Sequence, residues 1–227
     1  MTRNLEDTVP PEVFAAAAYV REWFPEGAVF IGGFAVNLHC MSLEGFADLA
    51  SYTHDLDIFI SRAALVDLVD LEVVVTNTRL SKSQFTKFGI EVDVYVEGKA
   101  ALAVDFDEIM PFSEEVRGFR AASLEHLLVL KGDAWRNRAG SDKGRKDEMD
   151  ICLILLALAR KGCRMELLSC LSPDVIARLD GVFSMRNLTA LFSGNAHAAS
   201  AAWRGGRPTV SAIRSRLDGA PLPPVRP

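Results

Sequence analysis

Residues 53–58 read Thr53-His54-Asp55-Leu56-Asp57-Ile58. Side chains alternate faces along a strand, so Asp55 and Asp57 project from one face while Leu56 and Ile58 enter the core on the other. Two carboxylates side by side repel unless a cation lies between them. A divalent ion is the economical cation, and hard oxygen donors suit Mg²⁺. Without one, the same pattern describes an exposed polar strand face.

Working outward, Ala28-Val29-Phe30-Ile31 is a short apolar run with β character. It is followed directly by Gly32-Gly33 and a helix-like stretch from Phe34 to Met41. Glycines between a strand and a helix let backbone N–H groups approach an anion at the positive end of the helix. A tight turn that merely needs positive φ has the same signature. On the other side, Ile90 to Val96 alternates as Ile-Glu-Val-Asp-Val-Tyr-Val. If this strand neighbours the first, Asp93 adds a third carboxylate to the face of Asp55 and Asp57 and completes a site for one or two metal ions.

The remaining elements follow from pattern and punctuation. Pro10-Pro11 opens a helix from Glu12 to Phe24. Ser61 heads a helix to about Val69, and Glu72–Thr76 is β-rich. After about residue 120 the pattern becomes helical. Ser123 precedes a run from Leu124 to Arg138, a basic loop covers 139–144, and a strong helix spans Arg145 to Arg160 before Lys161-Gly162. Ser172-Pro173 starts another helix. Residues 219–227 hold four prolines and read as a frayed tail.

Taken together, Gly32-Gly33-Phe34-Ala35, His39 and Thr53-His54-Asp55-Leu56-Asp57-Ile58 resemble the G-G-x-A-x-x-x-H … R-x-T-x-D-h-D-h pattern of nucleotidyltransferases of the DNA polymerase β superfamily, in the group that includes AbiEii-like toxins. Ala122-Ser123-Leu124-Glu125-His126-Leu127-Leu128-Val129-Leu130-Lys131 is similar to that group's a-s-l-e-x-L-h-x-L-K helix, and Arg145-Lys146-Asp147 with Asp150-Ile151 to its R-x-K-D-x-x-D-h segment. The match covers about residues 28–158. Ser51 stands where the group often has Arg.

The resemblance implies an α/β (α+β) fold, a small mixed-sheet nucleotidyltransferase core over residues 1–115 followed by a helical domain over 116–218. It implies transfer of a nucleoside monophosphate from an NTP to an acceptor such as tRNA or another RNA, by the toxin of a toxin–antitoxin pair. Asp55, Asp57 and Asp93 would hold Mg²⁺ or Mn²⁺. Gly32, Gly33, Thr53 and Lys131 would bind the nucleotide, with Lys131 and Asp147 in the active cleft. A small-molecule nucleotidyltransferase of the aminoglycoside type, a protein-modifying one and a degenerate non-catalytic relative are the competing expectations. His39 is read as helix packing.

Lys131 and Asp147 carry a reading of their own. Leu124, Leu127, Leu128, Lys131 and Trp135 share one helix face, so Lys131 sits in an apolar stripe where a lone ammonium is costly. Asp147 heads the facing stripe of the next helix, with Asp150 close by, and a Lys131–Asp147 pair across the two helices is expected. Arg136, Arg138, Lys143, Arg145 and Lys146 form a basic rim suited to an RNA acceptor, or else a solvated loop.

The 227 residues are 49% hydrophobic and 24% charged, which excludes disorder, collagen and coiled coil as the global state. Residues 1–110 carry 18 acidic and 7 basic side chains, and residues 111–227 carry 12 and 18. An acidic half before a basic half fits a metal site facing an anion-binding surface. No apolar run reaches the roughly 18 residues of a membrane span, and the first residues lack a secretory pattern, so the chain reads as cytoplasmic. Cys40, Cys152, Cys163 and Cys170 show no zinc-ligand spacing and read as buried free thiols.

Overall fold

In the first part of the chain, short apolar and β-branched runs punctuated by glycine and proline form strands, with helices before, between and after them. The computed structural model describes residues 9–25, 27–65, 75–77 and 81–215. The chain divides into two units, the first ending at Ser123 and the second beginning at Leu124.

The first unit is a seven-stranded mixed sheet with helices. Its elements are α1 (Pro11–Trp23), β1 (Ala28–Ile31), α2 (Gly32–Ser42), β2 (Asp55–Ile60), β3 (Val75–Asn77), β4 (Lys82–Lys87), β5 (Ile90–Val96), α3 (Phe106–Ile109), β6 (Glu114–Val116) and β7 (Phe119–Ala121). The strand order is β3-β4-β5-β2-β1-β7-β6. β1 is antiparallel to β2, β2 is parallel to β5, and β1 is parallel to β7.

The core lies on the face formed by Leu56, Ile58 and Ile60 of β2, paired with Val92, Val94 and Val96 of β5. Val13, Ala16, Ala17 and Val20 recur at helical spacing and bury one stripe of α1. Phe30, Phe34 and Phe119 meet edge to face at 5.2–5.6 Å between ring centroids. Such pairs add about 0.5–1.5 kcal/mol each beyond burial.

β1, β2 and β5 fall where the alternation places them. The boundary does not fall near 115. β6 and β7 form a hairpin through Arg117 and Gly118, both at positive φ, and β7 then joins the sheet beside β1. The sheet therefore continues to Ala121. β4 went unread because only Phe85 of its six residues is buried. The helix expected from Ser61 to Val69 lies partly outside the described residues; at its start the Ala64 N–H donates to Ser61 Oγ at 3.2 Å. Of the β-rich 72–76, the described part is in β3. The tail at 219–227 lies outside the described residues.

The second unit consists of helices: α4 (Leu124–Arg138), α5 (Asp142–Lys161), α6 (Pro173–Val182), α7 (Met185–Leu191) and α8 (Ala196–Arg214). α5 begins earlier than expected. Ser141 caps it by accepting from the Gly144 N–H at 3.1 Å. Lys143 thus stands on the helix with Arg145 and Lys146, not in the preceding loop. A Cβ on Gly144 would lie 2.3 Å from the Arg138 carbonyl oxygen, so the tight α4–α5 turn needs glycine there. Cys40 and Cys152 are buried, whereas Cys170 is exposed, contrary to the reading of all four as buried. Burial pushes the Cys152 thiol up to about 12, which keeps it an unreactive thiol.

Candidate active site

β1 runs into α2 without a loop. Gly32 takes up the change of direction at φ +68°, and a Cβ there would stand 2.0 Å from Asp57 Oδ2. Two constraints, left-handed backbone and a carboxylate in van der Waals contact, fix this residue as glycine. β1 and β2 are antiparallel with Ile31 opposite Asp57. The start of α2, an 11-residue helix, therefore lies at the same end of the sheet as Asp55 and Asp57. These carboxylates are half-buried, while Leu56 and Ile58 between and beside them are fully buried.

The expected adjacency of the third carboxylate holds. β2 and β5 pair in parallel with Asp57 opposite Asp93, so Asp55, Asp57 and Asp93 share one sheet face. Asp93 forms an ion pair with Lys82 of β4, both side chains about 15% exposed. Its other oxygen, Oδ1, is buried without a hydrogen-bond partner among the described residues. Among those residues no group of three His, Cys, Asp or Glu side chains is arranged to hold a metal ion. The triad exists as a register, with Asp93 turned onto Lys82. A set of oxygen donors with one buried oxygen left over fits a hard divalent cation.

Three buried polar residues hold this edge in place. The Thr53 hydroxyl donates to Asp55 Oδ1 at 3.1 Å. Asn37, fully buried on α2, grips the backbone of Ser51 twice: its amide donates to the Ser51 carbonyl at 2.7 Å and its Oδ1 accepts from the Ser51 N–H at 3.0 Å. Ser51 thus serves this edge through its main chain. His39 Nε2 lies 2.9 Å from the Ala122 carbonyl oxygen and ties α2 to the end of β7, the packing role expected of it. Asn37 and Lys82 were not singled out from sequence. Their partners are 14 and 11 residues away, and no local pattern marks them.

Lys131 and Asp147 belong to the second unit. The expected pair forms at 3.5 Å, but Asp150 is nearer, at 2.6 Å from Lys131 Nζ. Arg138 forks both oxygens of Asp147, Nε to Oδ2 at 2.6 Å and Nη2 to Oδ1 at 3.0 Å. Asp147 and Asp150 are at most 1% exposed. Buried carboxylates persist only when paired in this way.

The chain matches no protein-family model and no curated protein. Two solved structures are similar to it. One is JHP933 from Helicobacter pylori, with 15% identity and a TM-score of 0.46 over 93% of this chain and 97% of that one. The other is a "putative nucleotidyltransferase" from H. pylori, with 14% identity and a TM-score of 0.40 over 92% and 99%.

The five cations expected to line an acceptor rim have unequal standing. Arg138 is committed to Asp147, Arg136 pairs with Asp133 at 2.6 Å and Arg145 with Glu148 at 3.0 Å. Lys143 is exposed and Lys146 half-buried. Of the five, the two lysines would be the first to meet an incoming anion. No helix of the described residues is long and apolar enough to cross a membrane.

Proposed function

We propose that this chain is a divalent-metal-dependent nucleotidyltransferase. The observation that carries the reading is one strand face holding Asp55, Asp57 and Asp93 beside a positive-φ glycine at the head of α2. Asp55, Asp57 and Asp93 would hold Mg²⁺ or Mn²⁺, which when bound supplies positive charge against a triphosphate. The backbone N–H groups of Gly32 and Gly33 would meet the phosphates at the positive end of α2. Thr53 orients Asp55, and Asn37 keeps the approach to β2 from shifting.

In the transfer, an acceptor hydroxyl oxygen bonds to the α-phosphorus, the bond from that phosphorus to the bridging oxygen breaks, and pyrophosphate leaves. Asp93, with one oxygen on Lys82 and one without a hydrogen-bond partner among the described residues, is the carboxylate suited to take the hydroxyl proton. The acceptor we assign is an RNA end such as that of tRNA, supported by the basic second half and by Lys143 and Lys146. The resemblance to AbiEii-like toxins supports a toxin role with an antitoxin as partner.

Incubation of the protein with Mg²⁺, each α-labelled nucleoside triphosphate in turn, and cellular RNA plus protein tests this. Label should enter RNA with wild type and not with Asp55→Asn. Label entering only protein removes the RNA assignment, and label entering nothing removes the reading.

A further inference from the structure

Ahead of the carboxylates, exposure alternates along the chain. Tyr52 and His54 face outward while Thr53 between them is fully buried. The two outward rings stack, with centroids 5.7 Å apart and planes 22° from parallel. Tyr52 is 57% exposed, the largest value among the exposed large hydrophobic residues described. Exposed aromatics on a chain segment are commonly mobile, but this one is held at both ends. Asn37 clamps the Ser51 backbone on one side of Tyr52, and the Thr53 hydroxyl bonds Asp55 on the other.

The place of the pair distinguishes it from the other exposed ring cluster of the unit. There, Tyr19 stacks on Trp23, meets Phe88 edge to face, and carries the Lys87 ammonium 3.8 Å above its ring, so its π face is already engaged. Tyr52 is three residues ahead of Asp55, so their Cα atoms are at most about 11 Å apart. That is the reach of a ligand whose charged end lies at the carboxylates and the head of α2 and whose other end is flat.

We infer that the Tyr52–His54 ring pair is a stacking shelf for an unpaired nucleobase of the substrate. This rests on the nucleotidyltransferase reading and adds to it a base-binding element. Stacking on an aromatic face tolerates any base, because every base has a π face. Anchoring the shelf beforehand lowers the ordering cost of binding. The base belongs either to the triphosphate or to the RNA acceptor, and both present the same flat heterocycle.

Calorimetry with three probes separates the sources: a Mg²⁺–nucleoside triphosphate, Mg²⁺–tripolyphosphate and a short single-stranded oligoribonucleotide. Each is titrated into wild type, Tyr52→Ala, Tyr52→Phe and His54→Ala, with folding checked by circular dichroism. The expected result is triphosphate binding weakened about five- to hundredfold in Tyr52→Ala and restored in Tyr52→Phe, with tripolyphosphate unchanged. Weakening confined to the oligoribonucleotide assigns the shelf to the acceptor. Equal affinities of wild type and Tyr52→Ala for both base-containing probes overturn the shelf while leaving the nucleotidyltransferase reading intact. Wild type binding none of the three probes overturns both.

Discussion

The two carboxylate clusters of this protein are built for opposite ends. In the second unit, Asp147 has both oxygens held by Arg138 and one shared with Lys131, while Asp150 lies 2.6 Å from the same ammonium. Those carboxylates are at most 1% exposed. In the first unit, Asp93 is satisfied on one oxygen only, and Asp55 and Asp57 are half-buried at the end of a sheet, against the N-terminus of a helix. A cluster whose charges are matched within the chain holds helices together. One that leaves an oxygen without a partner among the described residues is suited to receive something from outside. The lesson is that carboxylate count says little, and the degree of internal neutralisation says much.

The sharpest way to break this contrast is to remove one acid from each cluster and compare. Asp150→Ala removes the nearer carboxylate from the buried Lys131 ammonium and should cost about 3–5 kcal/mol of stability, read as a lowered urea midpoint. A loss below about 1 kcal/mol would mean that the cluster is not what holds α4 to α5.

A second test exploits acid. Burial pushes the His126 imidazole on α4 down to about 4, with Glu125 favouring and Arg164 opposing its charge. Because the folded value lies below the ordinary 6.5, the unfolded chain takes up more protons between those two values, so stability is full above about pH 6.5 and falls as pH drops. The loss between pH 7.5 and 5 should be about 2 kcal/mol. Burial acts to raise the neighbouring Glu125, but its hydrogen bonds from the Arg164 side chain and backbone outweigh that and hold it below 4.5. Its contribution is present above 4.5 and is lost only below it. His126→Gln should flatten the profile above pH 4.5; an unchanged profile would place the acid sensitivity elsewhere.

The corresponding change in the first unit should look different. Asp57→Asn should leave the free energy of unfolding within about 1 kcal/mol of wild type and weaken Mn²⁺–triphosphate binding about tenfold or more, or 1.4 kcal/mol. Calorimetry on the same preparation reads both. If stability falls and binding does not, the two clusters are alike and the contrast fails.

The smallest expected effect concerns the rim. Reversal of Arg138 would set a carboxylate against buried Asp147 and confound binding with unfolding, so the informative variant is Lys143→Glu with Lys146→Glu. It should lower RNA affinity several-fold and reduce the salt slope by about one and a half, with melting unchanged. No change in slope would remove the rim.

Much of this was legible in the residues. Ala28–Ile31, Ile90–Val96 and the run Leu124–Arg138 stood out because apolar density and period name the element directly. Asp55, Asp57, Asp93 and Gly32 were legible because a two-residue period and a strand–glycine–helix junction are local facts. Lys82, Asn37 and the Arg138–Asp147 fork were not, since a sequence states a charge and not its partner. β6 and β7, three residues each, are too short for a period to emerge.

The parallel pairing of β1 with β7 has a consequence for how the protein is made. Phe30 and Ala121 are partners, and the Ala122 N–H donates to the Phe30 carbonyl at 2.9 Å. During synthesis, β1 leaves the ribosome long before the strand that flanks it. Until residue 121 has emerged, one side of β1 presents unbonded main-chain groups beside Phe30 and Phe34, a template for pairing with other nascent chains. A fragment ended at 115 would carry that open edge permanently and should precipitate, whereas one ended at 123 would close it.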